Sequence, residues 1–479
     1  MKERDLELVA DFYEFTMSNG YFVKNMNVIA YFDVFFRKVP DDGGYAIFAG
    51  LTQIIEDIKN LKFTEEDITY LRNQKIFSEE YLKYLSNFKF SGDIWAIKEG
   101  SVIFPGEPII TVRAPIIEAQ LLETLILMVI NHQSLIATKT RRIVNQAKGR
   151  PVMEFGARRA HGPDAAIYGA RAAIIGGAVG TSCTLSAKDF GVPASGTMAH
   201  SWIQSFDSEY EAFKAYAETY PDGCTFLVDT YNTLESGVPN AIKVFDDVLK
   251  PLGKRPVAVR LDSGDLAYLS KEVRKKLDEA GYPDCKICAT NSLDERLISS
   301  LFDQDAKVDL FGVGENLITA KSDPVFGGVY KLVAIEKNGA IIPKIKISDN
   351  VEKITNPSFK QVYRFYSKHD NIALCDLITL ADEEVFEGEY TVFDPQNPWR
   401  KKILKDYYVK PLLVKIFENG NPIYESPTVK EIAEFSKNDL NTFWDEIKRL
   451  DNPHKYYVDL SQKLWDLKQS LLGMSSPNQ

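Results

Sequence analysis

The sequence predicts an α/β protein whose centre is a closed or nearly closed parallel β/α barrel, between a mixed α/β N-terminal domain and a C-terminal segment. Three observations carry this expectation. Between Pro151 and Lys331, short apolar runs recur, each followed by a polar or glycine-rich turn and an amphipathic helix. The runs are nearly continuous in apolar residues, as strands buried on both faces of a parallel sheet must be. Seven such units fall within roughly 180 residues, which favours a barrel over an open doubly wound sheet.

Taken in order, residues 1–130 are expected to form the N-terminal α/β domain, completed by strands after 331. Within it, GDIWAIKEGSVIFPGEPIITVRAP at 92–115 alternates and carries Gly and Pro punctuation, which reads as short antiparallel strands. From Ile116 to about Lys148 the apolar residues recur at helical spacing. Its most apolar part, LLETLILMVI at 121–130, contains Glu123 and reads as a buried helix, too short to span a bilayer. Residues 131–330 hold the barrel. Its strand runs are PVMEF, a weaker AVGTSC, PASGT, CTFLVD, PVAVRLD, CKICAT and VDLFGVG, with helices such as SEYEAFKAYAETY and LAYLSKEVRKKLDEAGY between them. Residues 331–479 form the C-terminal region, strand-like in YKLVAIEKNGAIIPKIKIS and helical in IAEFSKNDLNTFWDEIKRL. The final SSPNQ is the one stretch read as unstructured.

Composition narrows the function. Hydrophobic residues make up 45% and charged ones 26% of 479 residues, an ordinary globular balance with ample material for a core. A net charge of −10 argues against a nucleic-acid scaffold, yet a pocket can be basic inside an acidic protein. TRR at 140–142 and ARRAH at 157–161 are candidates for such a pocket, or else solvated faces. Five cysteines without a dense framework fit a reduced, cytoplasmic compartment. Cys285 and Cys288 form a C-x-x-C inside an apolar run, with no second pair to complete a metal site, and read as core thiols. The opening MKERDLELVADFYEF has no apolar signal core, and no membrane segment is expected.

Barrel chemistry collects where the strands end. Those ends carry Glu154 and Phe155, Ser182, Thr197 with His200, Asp229, Asp262, Thr290 with Asn291, and Gly314 with Glu315. Helix caps alone would supply many polar residues there. Two features exceed that expectation: a histidine, and carboxylates paired with small residues. His200, in GTMAHSWIQSF, is one of only five histidines. It either fills a core or capping position or acts as a nucleophile, since neutral imidazole attacks phosphoryl centres near neutral pH. In VRLDSGDL, Arg260, Asp262 and Asp265 surround a turn that opens a helix; such carboxylates hold Mg²⁺ or ribose hydroxyls, or merely cap the helix. FGVGENLIT adds a glycine-lined turn suited to a phosphate. EFGARRAHGPDAA sets Phe155, able to stack on a flat heterocycle, beside two guanidiniums. Together these describe a pocket for a planar anion beside a phosphorylated sugar. Barrel isomerases and aldolases would show similar phosphate turns.

With those residues laid out, the chain resembles the nicotinate phosphoribosyltransferase family along nearly its whole length. DFYEFTMSNGYF and FFRKVP look like the opening motifs. EFGARRAHGPDAA, GTMAHSW, LVDTYNT, VRLDSGDL, FGVGENLIT, GGVYKLV and YESPTVKEIAEF follow in the family's order. The resemblance implies an N-terminal α/β domain, an irregular parallel β/α barrel, and a homodimer whose active sites form across the interface. The implied reaction moves 5-phosphoribosyl from its 1-diphosphate to nicotinate, with ATP as co-substrate and Mg²⁺ on the departing diphosphate. His200 would be the phosphate acceptor. Asp229 and Asp262 would flank the oxocarbenium-like transition state, which calls for anionic neighbours. Tyr13 from one subunit and Phe155 from the other would sandwich the pyridine, Arg260 would hold its carboxylate with Thr197 nearby, and Arg158 would line the pocket. Gly314 and Glu315 would belong to the substrate site, and Arg37 is a weaker candidate for a phosphate contact. Nicotinamide-using relatives show an aspartate where this chain has Ser182, which argues for the acid as substrate. Asn232 stands where many members have Asp and is given no role. The alternatives are a nicotinamide-preferring enzyme, a catalytically silent nucleotide binder, and an unrelated barrel aldolase or isomerase. The last would need a Schiff-base lysine or paired acid and base at the strand ends, and no lysine is placed that way.

Overall fold

The computed structural model describes residues 6–350, 353–386 and 388–474. The opening MKERD and the final SSPNQ lie outside the described residues. The chain divides into two compact units, residues 1–138 with 325–479, and residues 139–324.

The first unit opens with helix α1 (Phe12–Val23), strand β1 (Ile29–Phe36) and the short β2 (Ala46–Ile47). Three helices follow: α2 (Leu51–Asn60), α3 (Glu65–Asn73) and α4 (Glu79–Ser86). Thr64 caps α3 in a reciprocal box with Asp67, which satisfies two backbone donors that a helix start otherwise leaves bare. The run at 92–115 forms β3 (Asp93–Ala96), β4 (Val102–Ile103) and β5 (Ile110–Pro115). β3 and β5 pair antiparallel, as the Gly and Pro punctuation predicts. After the second unit, β12 (Gly328–Lys337) returns to pair antiparallel with β1, and β13 (Ala340–Pro343) adds to its edge. Val414–Glu418 and Asn421–Pro422 complete a seven-stranded sheet on the far side of β3.

The expected helix from Ile116 appears as α5 (Ile116–Gln120) and α6 (Glu123–Gln146). Together they are long and apolar enough to cross a membrane by length and composition, contrary to the ten-residue reading. Two thirds of the most apolar window is buried inside the protein, the pattern of a core helix.

The second unit holds the parallel strands β6 (Val152–Glu154), β7 (Gly180–Thr181), β8 (Thr225–Leu227), β9 (Ala258–Leu261), β10 (Lys286–Ala289) and β11 (Leu310–Val313). Helices α7 (Pro163–Ile175), α8 (Thr184–Phe190), α9 (His200–Gln204), α10 (Glu209–Thr219), α11 (Val238–Val244), α12 (Leu266–Glu279), α13 (Glu295–Asp303) and α14 (Glu315–Ile318) lie between and after them. The strand order is β7-β6-β11-β10-β9-β8. Six of the seven expected runs are therefore strands. The seventh, PASGT, makes a single bridge from Ala194 to Thr181, so no ladder joins β7 to β8 and the barrel is irregular. Pro, Ser and Gly explain why: one has no N–H to donate, and the others give no side-chain packing to hold a strand.

TRR at 140–142 is neither an open anion pocket nor a solvated face. Lys139, Arg141 and Arg142 are buried, and Glu295 accepts from Lys139 Nζ at 2.8 Å and Arg142 Nε at 3.2 Å. Cys285 and Cys288 are buried, and burial pushes both thiols up to about 12, as core thiols require.

Candidate active site

The site grows from β9. Val259 and Leu261 are fully buried, so the period-two alternation of a strand turns Arg260 to the opposite face. There the guanidinium donates from Nε to Thr290 Oγ1 at 3.0 Å and from one terminal nitrogen to Thr197 Oγ1 at 3.1 Å and the Met198 carbonyl at 3.4 Å. Its other terminal nitrogen donates to Asp262 Oδ1 at 2.9 Å. The same carboxylate oxygen accepts a short bond from the Thr290 hydroxyl. Burial opposes ionisation of Asp262, but Thr290, Arg260 and the facing His200 outweigh it and hold the carboxyl below the ordinary aspartate range.

His200 begins α9, where the chain that does not form a seventh strand reaches the sheet. Its Nε2 lies 3.7 Å from Asp262 Oδ2, and its Nδ1 is 3.0 Å from Thr230 Oγ1. The tryptophan two residues on is structural. Its indole N–H donates to the Ala212 carbonyl at 3.1 Å, which pins α9 to α10. Asp229, at the end of β8, accepts from the Asp262 backbone N–H at 2.9 Å and the Ser263 hydroxyl at 2.5 Å. Its other oxygen is buried without a hydrogen-bond partner. Buried carboxylate oxygens are rarely left bare, so this one is a natural contact for a cation or a hydroxyl.

Phe155 completes this group. Its ring rests against Gly312, where a Cβ would come within 2.5 Å of a ring carbon, and the Arg260 guanidinium lies 6.0 Å from the ring centre. Gly312 of FGVG thus serves first to admit an aromatic ring. Gly314 caps the short α14, and Glu315 is paired with Lys321 at 2.8 Å and Arg159 at 3.9 Å. Ser182 is exposed just after β7, its N–H held by the Glu154 carbonyl at 2.9 Å, and Arg158 is exposed on the turn after β6.

The structure therefore brings together His200, Asp262, Asp229, Arg260, Thr197 and Phe155 at neighbouring strand ends. Tyr13 and Arg37 belong to the other unit. Tyr13 sits in the first turn of α1, and Arg37 follows β1 with its Nε buried and unbonded. Three contributors carry too little signal in the sequence to stand out as site residues. Thr290 is recognisable as a strand end, but its bridging of Arg260 and Asp262 is invisible in a local motif. Thr230 and Ser263 adjoin the singled-out aspartates and look like ordinary turn residues. Asn232 has a structural role: its side chain accepts from the Leu234 and Glu235 N–H groups and caps the following turn.

Comparison with known proteins decides the family. The description of the nicotinate phosphoribosyltransferase N-terminal domain matches residues 8–131, that of the nicotinate phosphoribosyltransferase family residues 151–381, and that of its C-terminal domain residues 359–468. The nicotinate phosphoribosyltransferase of Bacillus subtilis is 45% identical over 98% of this chain and 95% of its own. This chain belongs to the nicotinate phosphoribosyltransferase family. A nicotinate phosphoribosyltransferase of Mycobacterium tuberculosis is 41% identical over 95% of the chain and 92% of its own length. The human nicotinic acid phosphoribosyltransferase crystal structure superposes with a TM-score of 0.86 at 28% identity, covering 96% of this chain and 99% of that one. The matched regions fall in both units.

Proposed function

We propose that this member of the nicotinate phosphoribosyltransferase family couples ATP cleavage to phosphoribosyl transfer through a phosphohistidine at His200. The family assignment sets the overall reaction as the formation of nicotinate mononucleotide in NAD salvage. The observation that carries the proposal is the contact of His200 with Asp262, itself clamped by Arg260 and Thr290.

A carboxylate facing Nε2 favours the tautomer that keeps its proton there. Nδ1 then holds the lone pair, with the Thr230 hydroxyl donating to it in the resting site. Nδ1 attacks the terminal phosphorus of ATP, the bond to the bridging oxygen breaks, ADP departs, and Asp262 stabilises the charged ring. The phosphorylated histidine brings about two negative charges to the strand ends. That charge orders neighbouring basic side chains and grips the phosphoribosyl donor. Asp229 and Asp262 flank the sugar as its anomeric bond loosens and positive charge develops.

Nicotinate lies on Phe155, its carboxylate taken by the Arg260 nitrogen whose bonds to Thr197 and Met198 are the longest of its set. Tyr13 from a partner subunit covers the other face of the ring in a homodimer. Arg158 lines the pocket, Ser182 leaves the acid unopposed, Gly314 and Glu315 border the substrate, and Arg37 meets a phosphate. The bare oxygen of Asp229 fits a hard cation, which binds through one or two carboxylates and substrate phosphates. When bound, Mg²⁺ neutralises charge on the departing diphosphate. The enzyme works in the cytoplasm.

Pure protein incubated with ATP labelled at the terminal phosphate should acquire an acid-labile phosphate, and His200→Ala should acquire none. A wild type that never takes up label sinks the phosphohistidine.

A further inference from the structure

An arginine beside a carboxylate commonly closes a two-pronged pair, with two parallel N–H groups on the two oxygens. Arg260 and Asp262 do not. Asp262 Oδ1 accepts from one terminal nitrogen at 2.9 Å, while Arg260 Nε is turned to Thr290 Oγ1 at 3.0 Å. A neutral hydroxyl has taken the second prong. Asp262 Oδ2 is left facing His200 Nε2 at 3.7 Å. The other terminal nitrogen of Arg260 reaches Thr197 Oγ1 at 3.1 Å and the Met198 carbonyl at 3.4 Å.

Thr290 is fixed in this place from several sides. It is buried, and its N–H donates to the Leu261 carbonyl at 2.9 Å, which locks the end of β10 to β9. Its methyl lies over Gly312, where a Cβ would come within 2.8 Å of that methyl and within 2.5 Å of the Phe155 ring. The methyl is therefore turned to the bare glycine and the hydroxyl to the charged pair. A hydroxyl has one hydrogen to give. Asp262 Oδ1 takes it in a short bond, and the Leu261 carbonyl lies farther off at 3.3 Å. The hydroxyl oxygen then accepts from Arg260. The bonds run in one direction, from guanidinium to hydroxyl to carboxylate.

We propose that Thr290 is a positioning residue that keeps Arg260 and Asp262 from closing on each other. By holding Arg260 Nε, it leaves Asp262 Oδ2 to His200 and the outer nitrogen of Arg260 to the carboxylate of the base. This rests on the reading of His200 as the phosphate acceptor and of Arg260 as the grip on nicotinate. A closed two-pronged pair would satisfy both groups with one another. The imidazole would lose its counter-charge and the base its cation in the same movement. One hydroxyl on β10 thus serves both phosphorylation and base binding.

Two variants separate the halves of the side chain. Thr290→Val keeps the branched shape over Gly312 and removes the hydroxyl, whereas Thr290→Ser keeps the hydroxyl and removes the methyl. Each is assayed for the rate of label uptake from ATP, KM of nicotinate, KM of ATP and Tm. A hydrogen bond to a charged group corresponds to about ten- to hundredfold. Thr290→Val should slow label uptake and raise the nicotinate KM, each by about that factor, with the KM of ATP and the Tm little changed. Its crystal structure should show Arg260 Nε turned onto Asp262. Thr290→Ser should recover most of both losses. If Thr290→Val leaves either label uptake or the nicotinate KM at the wild-type value, the proposal is wrong. Equal impairment in Thr290→Ser would assign the effect to methyl packing and overturn it, as would a fall in Tm shared by both variants with the KM of ATP rising too. A wild type that takes up no label, or an Arg260→Ala variant with an unchanged nicotinate KM, defeats the underlying reading of the site and this inference with it.

Discussion

The parallel-sheet unit contains two clusters built from the same parts, a carboxylate held by basic side chains, and they differ in how far they are open to solvent. In one, Glu295 receives Lys139 and Arg142, with side-chain exposures of 3%, 3% and 8%. In the other, Asp262 receives Arg260 and faces His200, with exposures of 28%, 16% and 40%. The closed cluster is shut off from solvent and its charges pair with one another, since an unpaired buried charge is costly. The open one lies where the strands end, and its members keep a face toward solvent. Exposure to solvent, and not the identity of the side chains, separates the two clusters.

The comparison breaks most visibly by neutralising each carboxylate. Asp262→Asn should lower kcat/KM by about 10²–10³, the usual cost of removing one preorganised polar group from a transition-state environment. Its Tm should stay within a few degrees of wild type. Loss of fold in place of activity would show that this cluster is also structural. Glu295→Ala should do the reverse. It leaves buried cations unpaired and should cost about 3–5 kcal/mol in denaturant unfolding. The fraction that remains folded should keep its nicotinate KM.

The smallest effect is on pH dependence. Asp262 has a folded value below its unfolded one, so its contribution to stability is complete above about 3.8 and is lost as pH falls through the lower folded value. Between about pH 5 and pH 8 it adds no slope. Tm curves of wild type and Asp262→Asn should run parallel there and draw together in stronger acid. Converging curves near neutrality would mean that Asp262 is not held in its ionised form by Arg260 and Thr290.

Much of the site is legible in the sequence because strand ends are marked by local chemistry. VRLD reads as a strand that stops at a carboxylate, and GTMAHS reads as a turn of small residues around a scarce imidazole. What stays hidden has a common cause. Thr290 meets Asp262 only because β9 and β10 run parallel, with Cys288 opposite Arg260 and Ala289 opposite Leu261. TRR resembles an anion pocket because nothing nearby in the chain announces Glu295, more than 150 residues away. PASGT resembles a strand although its apolar content is marginal, and its single bridge depends on where β7 ends.

The sequence by itself determined the rhythm of strands and helices, the residues that end each strand, and the family whose motifs they form. These are short-range properties: alternation, helical spacing and turn chemistry are written within a few residues. Only the tertiary structure decided which cation meets which carboxylate, which of them keep a path to solvent, and where the sheet stays open. Those outcomes depend on register between distant strands and on what is left to cover each charge, and no local pattern carries that information.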